Sequence, residues 1–129
     1  TDKTMSAKEK KILLIEDDLI TVRMYEAKFE TAGLNFLVAT SGAQGLELIK
    51  REKPSLILLD VKLGDMDGFD ILKKIKKDPA VKNIPVILLT NIRKMNGEDK
   101  GKKLGAAEFV MKAKILPDEL IEKIKKYLN

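Results

Sequence analysis

The sequence predicts a doubly wound α/β fold in which a five-stranded parallel sheet lies between layers of helices. Three observations predict it. Short apolar runs alternate with helical patterns five times along the 129 residues. The runs are almost continuous in Ile, Leu and Val, which marks strands covered on both faces. No internal repeat and no long linker divides the chain, so residues 10–129 read as one domain. Residues 1–9 read as a polar tail, disordered or foreign to the domain.

Each element follows in order. The run Ile12 to Ile15 stops at acidic residues and reads as the first buried strand. From Leu19 to Ala32, Ile20, Met24, Ala27 and Phe29 recur near helical spacing as the expected buried stripe, with Gly33 as the C-terminal cap. NFLVATS is the second strand and GAQGLELIKRE the second helix; Pro54 precedes the third strand, SLILLD. Residues 67–77 form a helix with Phe69, Leu72 and Ile75 on its apolar face, followed by the strand IPVILLT. EDKGKKLG is a short, glycine-interrupted helix and AEFVMK the fifth strand. Pro117 opens the last helix, whose buried stripe is Leu120, Ile121, Ile124 and Leu128.

Composition excludes several chemistries. There is no cysteine and no histidine, so disulfides, thiolate or imidazole metal sites and imidazole base catalysis are ruled out. Catalysis must use carboxylates, hydroxyls or lysines. Charge is mixed, 25 basic against 20 acidic residues, and the aromatics are 4 Phe and 2 Tyr with no basic stripe among them. Those features argue against nucleic-acid contact. Arg93, Lys94, Lys100, Lys102 and Lys103 against Glu98 and Asp99 make a local basic excess suited to a protein partner. No apolar run is long enough to cross a bilayer and the N-terminus is polar, so a cytoplasmic protein is expected.

In an open parallel sheet the functional crevice lies outside the carboxyl ends of the strands. Strand one ends in Glu16, Asp17 and Asp18, strand three in Asp60, strand four in Thr90 and strand five in Lys112. A bare carboxylate closing an apolar run is costly unless it reaches solvent or a partner, and the other strand ends supply partners for Asp60. Converging carboxylates suit a hard cation, Mg²⁺ or alternatively Mn²⁺. Beside such an ion Asp60 is a candidate nucleophile toward a phosphoryl group, with Lys112 neutralising phosphoryl oxygens and Thr90 offering a hydroxyl to them. Asp18 reads as a cap of the first helix.

IEDD, LLDVKLGDMDG, LLT and FVMK, set 43 residues from Asp17 to Asp60, 30 on to Thr90 and 22 on to Lys112, resemble the receiver domain of two-component response regulators over about residues 10–128. The resemblance implies the flavodoxin-like (βα)5 strand order 2-1-3-4-5. It matches Asp60 to the phosphoacceptor, Asp17 to a direct metal ligand, Glu16 to a ligand acting through water, and Lys62 to the position whose backbone carbonyl completes the metal shell. It matches Thr90 to the switch hydroxyl, Lys112 to the motif lysine and Phe109 to the aromatic that changes rotamer on activation. It implies Mg²⁺-dependent self-phosphorylation and slow self-dephosphorylation, a switch more than an enzyme. The implied donor is a sensor histidine kinase or a histidine phosphotransfer protein. The expected output face is Arg93 to Lys103 with the last helix, and a phosphorylation-dependent dimer is one expected state. Ile92 is expected to tune water access to the acyl phosphate.

The chain departs from the family pattern in three places. Ala113 follows Lys112 where a cis proline is usual, and a cis bond to alanine costs about 3 kcal/mol. Leu63-Gly64 stands for Met-Pro, and Asn91 for a small residue. These departures motivate an alternative, a receiver-like interaction module that acts without phosphorylation. A flavodoxin-type phosphate-binding module is disfavoured because Glu16-Asp17-Asp18 repels an anion. With Asn129 directly after the last helix no effector domain is expected here, whether the chain stands free or is part of a longer one.

Overall fold

The computed structural model describes residues 10–91 and 97–129. The tail at 1–9, Ile92, Arg93 and Lys94 lie outside them. Along the described residues run β1 (Lys11–Ile15), α1 (Leu19–Thr31), β2 (Asn35–Ala39), α2 (Gly42–Glu52), β3 (Leu56–Leu59), α3 (Gly68–Lys77), β4 (Val86–Thr90), α4 (Gly97–Lys103), β5 (Glu108–Met111) and α5 (Pro117–Leu128). All strand pairs are parallel and the order is β2-β1-β3-β4-β5.

Apart from Lys11, Asn35, Thr90 and Glu108 at strand ends, the strands are apolar throughout, because successive side chains enter opposite layers. Leu13, Ile15, Ile57, Leu59, Val86 and Leu88 pack with Leu48 and Ile49 of α2 and Phe69, Ile71, Leu72 and Ile75 of α3. Their neighbours Ile12, Leu14, Leu56, Leu58, Ile87 and Leu89 pack with Tyr25 and Phe29 of α1 and Leu120, Ile121, Ile124 and Leu128 of α5. Two half-cores share one sheet, so an alternating polar position would unseat either layer.

The register of α1 differs from the sequence expectation. Its buried residues are Val22, Tyr25 and Phe29, whereas Ile20 is 82% and Met24 43% exposed and Ala27 is also exposed. Two stripes of near-helical spacing compete in LITVRMYEAKF. The aromatic one wins because Tyr25 stacks on Phe29, and Phe29 meets Phe36 of β2 edge-on. The helix boundaries do follow the sequence. Asp18 caps α1 by accepting the Thr21 N–H, Ala32 is its C-terminal cap, and Gly33 takes the left-handed φ of +72°.

The fifth strand also ends sooner than expected. Lys112 leaves β5 for a 3-10 turn, Lys112–Lys114, and among the described residues there is no cis peptide bond. The loop after Lys112 is therefore trans. No helix of the described residues is long and apolar enough to cross a membrane.

Candidate functional site

The parallel register builds the site. Ile15 pairs with Leu59, so Glu16 and Asp60 leave adjacent strands side by side, and the Asp60 N–H donates to the Ile15 carbonyl at 3.1 Å. Thr90 pairs with Met111, which brings Lys112 to the end of β4. Glu16, Asp17, Asp18, Thr21, Asp60, Lys62, Thr90, Asn91 and Lys112 together line an open pocket of about 460 Å³ at the carboxyl edge of the sheet. The candidate nucleophile, metal ligands, hydroxyl and motif lysine named from the sequence are all there. Ile92 lies outside the described residues, and Phe109 is not in the pocket. That ring lies half-buried at α4, where a Cβ added to Gly97 would stand 3.6 Å from it.

Lys112 ties the carboxylates together. Its Nζ donates to Asp60 Oδ2 at 3.0 Å and to Glu16 Oε1. Glu16 is 1% exposed, and its other oxygen accepts the Asp18 N–H at 3.0 Å. Burial raises the Glu16 pKa, outweighing the pull of the Lys112 hydrogen bond. Burial alone would lower Lys112, but its hydrogen bonds to Glu16 and Asp60 prevail and raise it. The ammonium thus stays charged, as two buried acids require.

Backbone N–H groups aim the remaining oxygens. Asp60 Oδ1 accepts the Lys62 N–H at 3.3 Å, and Asp17 Oδ2 accepts the Gly64 N–H at 2.9 Å. Thr90 is 1% exposed at the floor of the strand edge. Glu16, Asp17 and Asp60 can each offer one oxygen such that all lie within 4.8 Å of one another. Three carboxylate oxygens within that reach are the donor type a hard cation takes, with the rest of its shell left to water.

Sequence reasoning missed several groups of the site's frame. Asp65 accepts the Gly42 and Ala43 N–H groups at 2.8 and 3.0 Å, capping α2 from the loop after β3, and those bonds hold its pKa below the usual carboxylate value. Gly64, Asn91 and Ala113 carried a signal, since each departs from the family pattern, but the hydrogen bonds they make had none.

A doubly wound sheet that gathers acids, hydroxyls and lysines in a single pocket at its carboxyl edge defines a class of α/β domain. The description "Response regulator receiver domain" belongs to the family whose model matches residues 12–125, and this chain belongs to that family. Two-component response regulators are the proteins that carry the domain. The chain is 35% identical over 102 residues to the response regulator PleD of Caulobacter vibrioides, a match covering 79% of this chain and only 22% of that protein. It is 29% identical over 120 residues to the polar-differentiation response regulator DivK of Brucella ovis, covering 93% of this chain and 97% of that one. Among solved structures, a CheY-like response regulator receiver domain protein from Methanospirillum hungatei superposes with a TM-score of 0.84 at 30% identity, covering 92% of this chain and 93% of that chain.

Proposed function

We propose that this receiver domain accepts a phosphoryl group on Asp60 from a phosphohistidine of a sensor kinase or phosphotransfer protein. The observation that carries the reading is the Lys112 ammonium, 3.0 Å from Asp60 Oδ2 in a pocket that also holds Glu16 and Asp17. An Asp60 oxygen attacks phosphorus, the P–N bond breaks, and the imidazole leaves with its electron pair and takes a proton. Hydrolysis follows when water attacks the same phosphorus and the carboxylate is restored.

Asp17, Asp60, Glu16 through water and the Lys62 backbone carbonyl would hold Mg²⁺, with Mn²⁺ as a substitute. The ion's contribution is to neutralise charge on phosphoryl oxygens. Lys112, hydrogen-bonded to Asp60, would share in neutralising that charge. Thr90 hydrogen-bonds the bound group, and Phe109 moves toward the space Thr90 leaves, biasing a two-state surface at α4 and α5. This is a signalling switch with self-phosphorylating and self-dephosphorylating activity, working in the cytoplasm. Its output face joins α4 and α5, where Lys100, Lys102 and Lys103 are exposed, and serves a downstream protein or a phosphorylation-dependent second copy. Charge reversals at those lysines that spared every partner would remove that assignment.

The trans loop after Lys112 supports this reading over a phosphorylation-independent module, because the ammonium reaches Asp60 without a proline behind it. The test is intact mass after incubation with acetyl phosphate, with and without Mg²⁺, beside Asp60→Asn. One adduct requiring both the metal and Asp60 is expected. If neither acetyl phosphate nor a phosphohistidine donor gives an adduct, and Mn²⁺ does not bind, the phosphorylation-independent module becomes the better reading.

A further inference from the structure

Two departures from the family pattern meet in one hydrogen bond. Asn91 follows Thr90 at the end of β4, and its side-chain Oδ1 accepts the backbone N–H of Ala113 at 2.9 Å. Thr90 and Met111 are the last pair of the β4–β5 ladder, so Asn91 and Lys112 stand opposite each other where ladder hydrogen bonds have stopped. A side-chain amide here does what the next rung would have done. It fastens the 3-10 turn Lys112–Lys114 to the exit of β4.

That turn carries the Lys112 stem. A lysine has several freely rotating bonds, so the reach of its ammonium to Asp60 and Glu16 depends on where its Cα is held. Lys112 has no proline behind it to stiffen the turn. We infer that Asn91 is the positioning residue of Lys112: its amide oxygen holds the Ala113 N–H and so fixes the turn from which the ammonium reaches Asp60. The consequence for phosphorylation rests on the phosphoacceptor reading; the consequence for the ammonium's place does not. An alanine at 91 removes the acceptor, and a proline at 113 removes the donor.

The experiment compares the wild-type chain with Asn91→Ala, Lys112→Met and the double variant. Amide exchange at Ala113 and the Lys112 side-chain Nζ–Cε correlation are read by NMR; the rate of labelling by acetyl phosphate is read at saturating Mg²⁺. In Asn91→Ala the Ala113 amide should exchange at least about threefold faster, and the Lys112 signal should move toward the position of solvent-exposed lysines. Labelling should slow about threefold to tenfold, the range that loss of one net hydrogen bond gives. On the Lys112→Met background the same substitution should change labelling less than twofold, because Asn91 acts through that ammonium.

An unmoved Lys112 signal overturns the inference, as does an equal slowing with and without Lys112. Asn91 is exposed, so Asn91→Ala should fold normally. A wild-type chain that takes no phosphoryl group would overturn the phosphoacceptor reading alone, and the Lys112 signal would still decide the place of Asn91.

Discussion

Gly68 is the position where one methyl group should do the most damage. It opens α3, and its N–H donates to the Val61 carbonyl at 2.7 Å, stitching the helix to the exit of β3. A Cβ there would lie 2.3 Å from the Asp60 carbonyl oxygen and 2.6 Å from Val61 Cα. Ordinary contact begins near 3.4 Å, so about 1.1 Å of movement is needed, and both obstacles are backbone. The helix end cannot back away alone, because Phe69, Ile71 and Leu72 are packed in the core behind it. Overpacking against yielding side chains costs about 1–3 kcal/mol, and a backbone clash belongs at the upper end. The helix preference of alanine returns less than about 1 kcal/mol at a first helical position. Gly68→Ala should therefore lose about 2–3 kcal/mol in urea unfolding. Because Asp60 itself is displaced, labelling by acetyl phosphate should fall about tenfold or more. Gly33→Ala is the control: nothing lies within 4 Å of its Cβ, so only the left-handed φ of +72° opposes it. It should cost about 1 kcal/mol and leave labelling unchanged. A Gly68→Ala protein within about 0.5 kcal/mol of wild type, and labelled at the same rate, would refute the steric reasoning.

Three further outcomes are expected. Gly64→Pro removes the N–H that holds Asp17 Oδ2 and should weaken Mn²⁺ binding, read by electron paramagnetic resonance, about tenfold; Gly64→Ala keeps the donor and should lose less. Equal Mn²⁺ affinity in Gly64→Pro would mean that Asp17 needs no such support. Burial and the hydrogen bond to Glu108 push Tyr127 up to about 12, so the neutral phenol is the form that folding favours. Its stabilising effect is full below about pH 10, where the unfolded chain's tyrosines begin to ionise, and is lost as pH rises through about 12. Tyrosinate absorbance should show that late step, and Glu108→Ala should bring it earlier; a wild-type step near pH 10 would sink the assignment. Leu19, Ile20 and Met24 are exposed on α1, whose cap Asp18 and first-turn Thr21 line the pocket. Ile20→Asp should slow transfer from a phosphohistidine protein more than tenfold while acetyl phosphate labelling holds, since burying one such side chain is worth about 1.5–3 kcal/mol. Unchanged transfer would show that the donor docks elsewhere.

The fold was legible because parallel strands covered on both faces are near-continuously apolar, and runs as short as VILLT or LILL, set between longer helical patterns, fit strands. The facing of α1 was not. LITVRMYEAKF holds two stripes that share Phe29, and the one through Tyr25 is buried because Tyr25 packs in a core built from other elements, β1, β3, β4 and α5. Periodicity within a helix carries no information about which neighbour it will meet. The ends of β3 and β5 each came a residue sooner than expected, and the two residues left beyond them, Asp60 and Lys112, meet each other across 52 residues of chain.

The acids, hydroxyl and ammonium of the pocket were legible because each interrupts an apolar pattern at a strand end, and the rule that places function at those ends is geometric. Backbone donors have no such signature. Gly64 and Ala113 stand where the family carries proline, and proline has no N–H to give. Each of these residues uses the regained N–H at once, one for Asp17 and one for Asn91. Losing a proline loosens a loop through the freedom of φ, and a new hydrogen bond to a neighbouring strand end tightens it again. The departures at 64, 91 and 113 thus do not point to a decayed site. They exchange stiffness built into the chain for stiffness built between strands, and that exchange keeps Asp17 and Lys112 aimed at the same pocket as Asp60.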